Sequence, residues 1–137
     1  MEESTVENLS GRTVFFVKDA ERALRFYTDS LGFKSDWVHE QAGRPFVFQV
    51  SLFGFQLILN QIETEAGTQD RPGHGRVFFG IDHDQLEPFR RYVTDQGIKT
   101  AVVYWGAPTL VIRDLDANEL FFWLPEQERA ALAAQLP

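Results

Sequence analysis

The chain has 137 residues, enough for one domain with its own hydrophobic core. Its net charge of −7 and its lack of a basic stripe argue against a nucleic-acid partner. It has no cysteine, which excludes disulfides, zinc–thiolate sites and thiol nucleophiles. The acidic, polar amino terminus is unlike a signal peptide, and no apolar run approaches the roughly 18 residues of a membrane span. We therefore expect a cytoplasmic protein without a membrane partner.

The first predicted elements are a strand and a helix. Thr13–Val17 is apolar, β-branched and aromatic, which indicates a strand. Asp19 is placed to cap a helix over Ala20–Leu31, where apolar residues recur at helical spacing. Gly32 follows in the position typical of a glycine that ends a helix.

Three more strands complete the first half. They are predicted over Phe33–Glu40, Arg44–Leu52 and Phe55–Asn60. Phe53-Gly54 predicts a tight hairpin between the last two. Residues 61–75 are polar and rich in Gly and Thr, which indicates a linker.

The same order of elements then returns. A strand is predicted over Arg76–Ile81, and a helix over Gln85–Gln96 that ends at Gly97. Strands follow near Ile98–Tyr104, Thr109–Ile112 and Leu120–Leu124. Pro125 begins a last helix that extends to about residue 136 through alanines that favour it.

The second half repeats the first residue by residue. RTVFFV at 12–17 matches RVFFGI at 76–81 with an offset of 64, and Gly32 matches Gly97 with an offset of 65. One inserted residue explains the change of offset. We therefore predict one α+β domain built from two tandem βαβββ modules, at about 12–60 and 76–124.

Two motifs resemble those of the vicinal-oxygen-chelate family, which comprises glyoxalases, bleomycin-resistance proteins and extradiol dioxygenases. VKDAERALRFYTDSLGF (17–33) is similar to its opening strand–helix signature, and RDLDANELFFW (113–123) to its closing turn. Leu115 and Ala117 replace the usual Pro and Gly of that turn. The resemblance covers roughly residues 12–124. It implies a curled, mostly antiparallel eight-stranded sheet around a cleft, with the helices outside.

The resemblance also implies where a metal would be bound. Metal-dependent relatives have ligands at positions that correspond here to Arg12, Arg76 and Phe121. Guanidinium has no lone pair to offer a divalent ion, and a phenyl ring is no ligand either. We therefore expect no metal, no other cofactor and no catalytic residue of the usual type. A displaced metal site at His74 and Gln56 remains an alternative.

Alternation along the strands predicts which side chains face the cleft. The resemblance adds Trp37 and Trp105, which match groove aromatics of bleomycin-binding proteins. The predicted ligand-binding residues are Arg12, Phe16, Trp37, Gln56, Asn60, Arg76, Phe78, Trp105, Phe121 and Trp123. Such a surface suits a flat organic molecule held by stacking and hydrogen bonds. The two arginines require an anion, which is either a ligand group or a protein acid such as Glu40.

The leading functional hypothesis is a metal-free protein that sequesters an aromatic or anionic ligand, as bleomycin-resistance proteins do. An alternative is a lyase, isomerase or dioxygenase-like enzyme of the same superfamily, with a relocated metal or none. A third is a structural or regulatory module whose cleft is closed by its own aromatic side chains. We expect a homodimer, because pairing would cover exposed sheet edges and an aromatic cleft.

Overall fold

The computed structural model describes residues 5–62 and 71–137, which form two four-stranded sheets and three helices. The strands of the first sheet are β1 (Thr13–Val17), β2 (Lys34–Gln41), β3 (Arg44–Leu52) and β4 (Phe55–Gln61). Those of the second are β5 (Arg76–Gly80), β6 (Ala101–Tyr104), β7 (Pro108–Arg113) and β8 (Glu119–Trp123). The helices are α1 (Ala20–Arg25), α2 (His83–Gln96) and α3 (Glu126–Leu132). No helix in these two described ranges is both long and apolar enough to cross a membrane.

The duplication is visible in the topology. The strand order is β1-β4-β3-β2 in one sheet and β5-β8-β7-β6 in the other. In each sheet the first and last strands pair in parallel and the remaining pairs are antiparallel. The predicted α+β class with two βαβββ modules is therefore confirmed, with the eight strands divided into two sheets. Most of the predicted linker, residues 63–70, lies outside the described residues.

Element ends differ from prediction where local hydrogen bonds intervene. The α-helical part of α1 ends at Arg25, and a π-helical turn over Phe26–Ser30 continues it. α2 begins two residues early, because the Asp82 side chain and Gln85 form a capping box. The predicted caps at Asp19, Gly32 and Gly97 are confirmed: Asp19 accepts from the Arg22 N–H, and both glycines have positive φ.

Each sheet has one face covered by helices and one face without a helix, which we call its open face. The covered face of the first sheet packs against α1 through Phe15, Val17, Phe48, Leu57 and Leu59. The covered face of the second sheet carries Val102, Leu110 and Phe122, which pack with residues of α2 and α3. The two covered faces share one core, since Ile112 and Leu120 belong to the first cluster.

A buried carboxylate, Asp114, organises the turn between β7 and β8. Its Oδ1 accepts from the backbone N–H groups of Asp116 and Asn118, each at 2.9 Å. Its Oδ2 accepts from the Tyr27 hydroxyl and the Asn118 amide, also at 2.9 Å. Burial raises the pKa of Asp114, whereas these hydrogen bonds lower it. The effect of burial is the larger, so the pKa of Asp114 is raised. Asp114 thus has the structural role of fixing the backbone of this turn.

The same turn joins the two modules. The Asn118 amide donates to the Phe16 carbonyl at 3.0 Å and its Oδ1 accepts from the Gly75 N–H at 2.9 Å. The Asp116 carboxylate accepts from the Lys18 N–H at 3.1 Å. A side chain on Gly75 would collide with the Phe15 ring, which explains the glycine there. The end of β1 is therefore tied to the start of both β5 and β8.

We expect Tyr27→Phe to lower the free energy of unfolding by about 1 to 3 kcal/mol, because it removes one donor from a buried carboxylate. Tyr104→Phe is the matched control, since Tyr104 is 71% exposed, and it should change stability by less than about 0.5 kcal/mol. Urea denaturation of both variants gives the comparison. Equal stability of the two variants would contradict the role given to Asp114.

Candidate functional site

Four aromatic rings lie together on the open face of the second sheet, and we call them the aromatic patch: Phe78, Trp105, Phe121 and Trp123. Ring centroids are 5.5 Å apart for Phe78–Trp105, 5.9 Å for Phe78–Trp123 and 5.3 Å for Trp105–Phe121. Phe78, Trp105, Gly106 and Trp123 line an open depression of about 410 Å³. The rings are arranged edge-on or tilted to one another, and Phe78 and Trp105 expose large parts of their rings to solvent.

The strand register and two glycines place these rings. β5 and β8 pair in parallel, with Phe78 opposite Phe121 and Gly80 opposite Trp123. Because Gly80 has no side chain, the space beside the Trp123 ring stays open. Gly106 has a φ of 75°, and the tight turn that it allows directs Trp105 back over the sheet.

The patch has a buried floor and an exposed rim. Phe121 is 2% exposed, whereas Phe78 is 48% exposed and Trp105 is 44% exposed. Large apolar rings held half in solvent on a rigid sheet are typical of surfaces that bind another molecule. The arrangement can hold a flat ring by stacking.

Arg76 closes one side of the patch. Its guanidinium carbon lies 4.3 Å from the centroid of the Phe121 ring, a cation–π contact. Its Nη2 and Nε donate to Glu119 Oε1 at 2.8 and 3.1 Å. The other oxygen of Glu119 accepts from Arg113 Nε at 3.1 Å. One carboxylate is therefore shared by two guanidinium groups, and among the described residues neither arginine forms an ion pair with any other acid.

A second guanidinium lies at the other end of the patch. Arg129, in α3, has its guanidinium carbon 4.3 Å from the Trp123 ring centroid, and it donates to the Leu124 carbonyl at 2.6 Å. The Trp123 ring is thus held from one side by a cation of the last helix. Cations at both ends give the patch a positive local charge on a chain with a net charge of −7.

The open face of the first sheet carries a polar group instead of a ring cluster. Arg12 donates to the side-chain oxygen of Gln49, Oε1, and the side-chain amide nitrogen of Gln49 donates to Asp36 at 2.8 Å. Asp36 also accepts from the Ser51 hydroxyl at 2.9 Å. The hydrogen bond from Gln49, which is 3% exposed, lowers the pKa of Asp36. Arg12 is therefore linked to a carboxylate through a buried amide.

The remaining predicted site residues of this sheet share the same face. The ladder pairs Phe16 with Asn60, Ser51 with Gln56, and Trp37 with Gln49. Within the described parts of the chain, no side-chain hydrogen bond, ion pair or ring contact joins this group to the aromatic patch. The structure thus brings the predicted site residues together as two groups of five, one on each open face.

Sequence reasoning missed several residues that complete these groups. The acid beside Arg76 is Glu119 and not Glu40, which is exposed on β2. Alternation could have found it, because Glu119 lies two residues before Phe121 and opposite Arg76. Asp36 could not be found in this way, because a bulge between Ser35 and Trp37 changes the register there.

The residues at the three family metal positions do not fit a divalent ion. Two are guanidinium groups, and the third is a ring that one of these guanidinium groups covers. Glu119, the carboxylate next to them, is already bound by two arginines. Over residues 5–62 and 71–137 no three His, Asp or Glu side chains are close enough to hold a metal. The alternative site at His74 and Gln56 stays a prediction.

Comparison with known proteins places this geometry in a family context. The family model of the Glyoxalase/Bleomycin resistance protein/Dioxygenase superfamily matches residues 10–120. No curated protein matches the sequence. Among solved structures, lactoylglutathione lyase from Agrobacterium tumefaciens is 17% identical with a TM-score of 0.56, over 90% of this chain and 98% of that one.

Two further solved structures have similar scores. The fosfomycin resistance protein FosX from Mesorhizobium loti is 20% identical with a TM-score of 0.52, over 93% of this chain and 99% of that one. A glyoxylase/bleomycin resistance protein/dioxygenase domain from Frankia sp. EAN1pec is 20% identical with a TM-score of 0.56, over 88% and 95% of the two chains. At these identities the likeness concerns the fold.

The misfit at the metal positions predicts the outcome of a metal analysis. After dialysis against zinc, nickel, manganese and iron salts and then buffer, we expect far less than one metal ion per chain, because no three His, Asp or Glu side chains meet in the described part of the chain. Inductively coupled plasma mass spectrometry measures the content. One tightly held ion per chain would show that the donors come from elsewhere and would contradict the interpretation of Arg12, Arg76 and Phe121.

Proposed function

We propose that this chain, which belongs to the Glyoxalase/Bleomycin resistance protein/Dioxygenase superfamily, binds and sequesters a flat aromatic molecule that carries an anionic group. The observation that carries the proposal is the Arg76 guanidinium over the Phe121 ring, beside three more aromatic rings. The family resemblance places two ligand positions of metal-dependent relatives at Arg76 and Phe121. Here these two residues form part of a stacking surface next to a cation.

Stacking is the first contribution to affinity. Phe78 and Trp105 together expose large ring areas that a flat ligand would cover, and Gly80 leaves room beside Trp123. Each aromatic pair contributes about 0.5 to 1.5 kcal/mol beyond the area that it buries. Two or three such contacts are enough to orient a ligand of two or more fused rings.

The second contribution is electrostatic. Arg76 and Arg113 share the single carboxylate of Glu119, and the side chain of Arg76 is 47% exposed. A ligand carboxylate at the edge of the patch would balance the remaining charge and accept hydrogen bonds from guanidinium N–H groups. This charge favours an anionic ligand over a cationic one.

Binding without chemistry fits the ionisable groups at this face. The carboxylate next to the patch, Glu119, accepts hydrogen bonds from two guanidinium groups, so both of its oxygens already have partners. A general acid or base must reach the reacting proton through a hydrogen bond of its own.

We also propose that the protein acts as a homodimer. The two open faces make no described side-chain contact with each other within one chain, although the predicted site contains five residues of each. A second copy could place the Arg12 and Trp37 face of one chain against the aromatic patch of the other. Such pairing would cover the exposed rings and enclose a ligand between two chains.

Binding can be tested with a panel of fused-ring aromatic carboxylates and their neutral amides, titrated calorimetrically. For the carboxylate that binds most tightly, we expect Phe78→Ala and Trp105→Ala each to weaken binding by about twofold to tenfold. Arg76→Ala should weaken binding of the carboxylate and leave binding of the amide unchanged. Arg12→Ala should also weaken binding of the carboxylate if the two faces meet in a dimer. Tyr104→Ala removes an exposed ring outside the patch and serves as the matched control.

Two results would overturn this proposal. Unchanged affinity in Arg76→Ala and Phe78→Ala would place the ligand elsewhere. A panel in which no member binds while the protein converts one of them would favour the enzyme alternative.

A further inference from the structure

A large apolar cavity lies on the other side of the second sheet. Its volume is about 450 Å³, and it lies between α2 and the covered faces of both sheets, with part of it open to solvent. Its wall includes Phe55, Phe79, Phe89, Tyr92, Ile112 and Phe122. It is separate from the aromatic patch, because consecutive residues of β8 point to opposite faces: Phe121 to the patch and Phe122 to the cavity.

The cavity exists because the two duplicated helices pack differently. α1 buries Ala20 and Ala23 against the first sheet, and the turn that continues it buries Tyr27. α2 has 14 residues, and among them Leu86 alone is fully buried. The first module therefore fills the space between helix and sheet, whereas the second leaves it open.

Specific contacts hold α2 away from the sheet at its carboxyl end. The Tyr92 hydroxyl donates to the Leu31 carbonyl. The Tyr92 ring packs against Phe53, with the two ring centroids 5.0 Å apart. The Gln96 amide donates to the Asp29 carbonyl at 3.1 Å. These bonds attach α2 to the end of the first module's helix rather than to its own sheet. Nearer the amino end of α2, the Phe89 ring packs on Phe122, with the ring centroids 4.8 Å apart. The helix therefore crosses the cavity between these two sets of contacts.

The wall selects for an uncharged ligand. Asp84 is the one charged side chain that lines the cavity, at the first turn of α2, and no Lys, Arg or His among the described residues lines it. Burial raises the pKa of Tyr92, so its phenol is neutral at physiological pH. An apolar space of this size is unfavourable when left without atoms to contact its walls.

We propose that this cavity binds an uncharged, hydrocarbon-rich small molecule between α2 and the second sheet. The volume is about three times that of an engineered cavity that holds benzene, which corresponds to a ligand on the order of 15 to 20 non-hydrogen atoms. The site is independent of the aromatic patch and does not rest on the function proposed for it.

The test uses N-phenyl-1-naphthylamine, an uncharged probe that fluoresces strongly in apolar surroundings. We expect the wild-type protein to bind one equivalent. Val93→Trp places a larger side chain in the cavity wall and should weaken binding at least tenfold. Thr94→Trp, at an exposed position of the same helix, should leave it unchanged. Trp105→Ala should also leave it unchanged, because Trp105 lies on the open face.

Near-ultraviolet circular dichroism shows whether Val93→Trp keeps its packed core. If it does not, Ile98→Phe is used instead, because it enlarges a side chain of the same wall by less. It should also weaken binding of the probe. No saturable binding by the wild type would overturn the proposal, as would equal binding by Val93→Trp or Ile98→Phe and the Thr94→Trp control. A dimer that excludes the probe and dissociates to monomers in Val93→Trp would show that a second copy fills the space, and would also overturn it.

Discussion

The Asp114 carboxylate fixes the geometry on which both candidate sites depend. It accepts four hydrogen bonds, three from its own turn and one from the Tyr27 hydroxyl of the first module. Through Asn118 the turn also holds the Phe16 carbonyl and the Gly75 N–H. These bonds set where β5 and β8 begin, and the parallel register of that pair then places Phe78 opposite Phe121. Burial of a charge is costly, and the complete set of donors is what makes it tolerable here.

Side chains of β8 alternate between the two faces of the second sheet and so contribute to both candidate sites. β8 directs Glu119, Phe121 and Trp123 to the open face, and Leu120 and Phe122 to the covered face. The open face combines rings with two guanidinium groups that share one carboxylate, which suits a flat anionic ligand. The covered face contributes to an apolar cavity that α2 spans without filling. Five residues thus contribute to two surfaces of opposite chemistry.

The parts of this structure that depend on local pattern could be predicted from the sequence. The strand order within each module, the caps at Asp19 and Gly97, and the faces of Arg76 and Phe121 follow from periodicity and from the internal repeat. The bulge that turns Asp36 toward Gln49 could not, because it interrupts the alternation on which the prediction rests. The cavity could not either. It depends on where Tyr92 and Gln96 attach α2, and their partners are backbone carbonyls more than 60 residues away.

The central proposal is that the aromatic patch, with the Arg76 guanidinium beside Phe121, binds a flat aromatic anion. The three tryptophan indole N–H signals in a nitrogen-15 correlation spectrum report on it directly. They can be assigned with Trp105→Phe and Trp123→Phe. During titration with the tightest-binding aromatic carboxylate, we predict that the Trp105 and Trp123 signals move together and saturate at one ligand per chain. Saturable binding that leaves both signals in place would contradict the account.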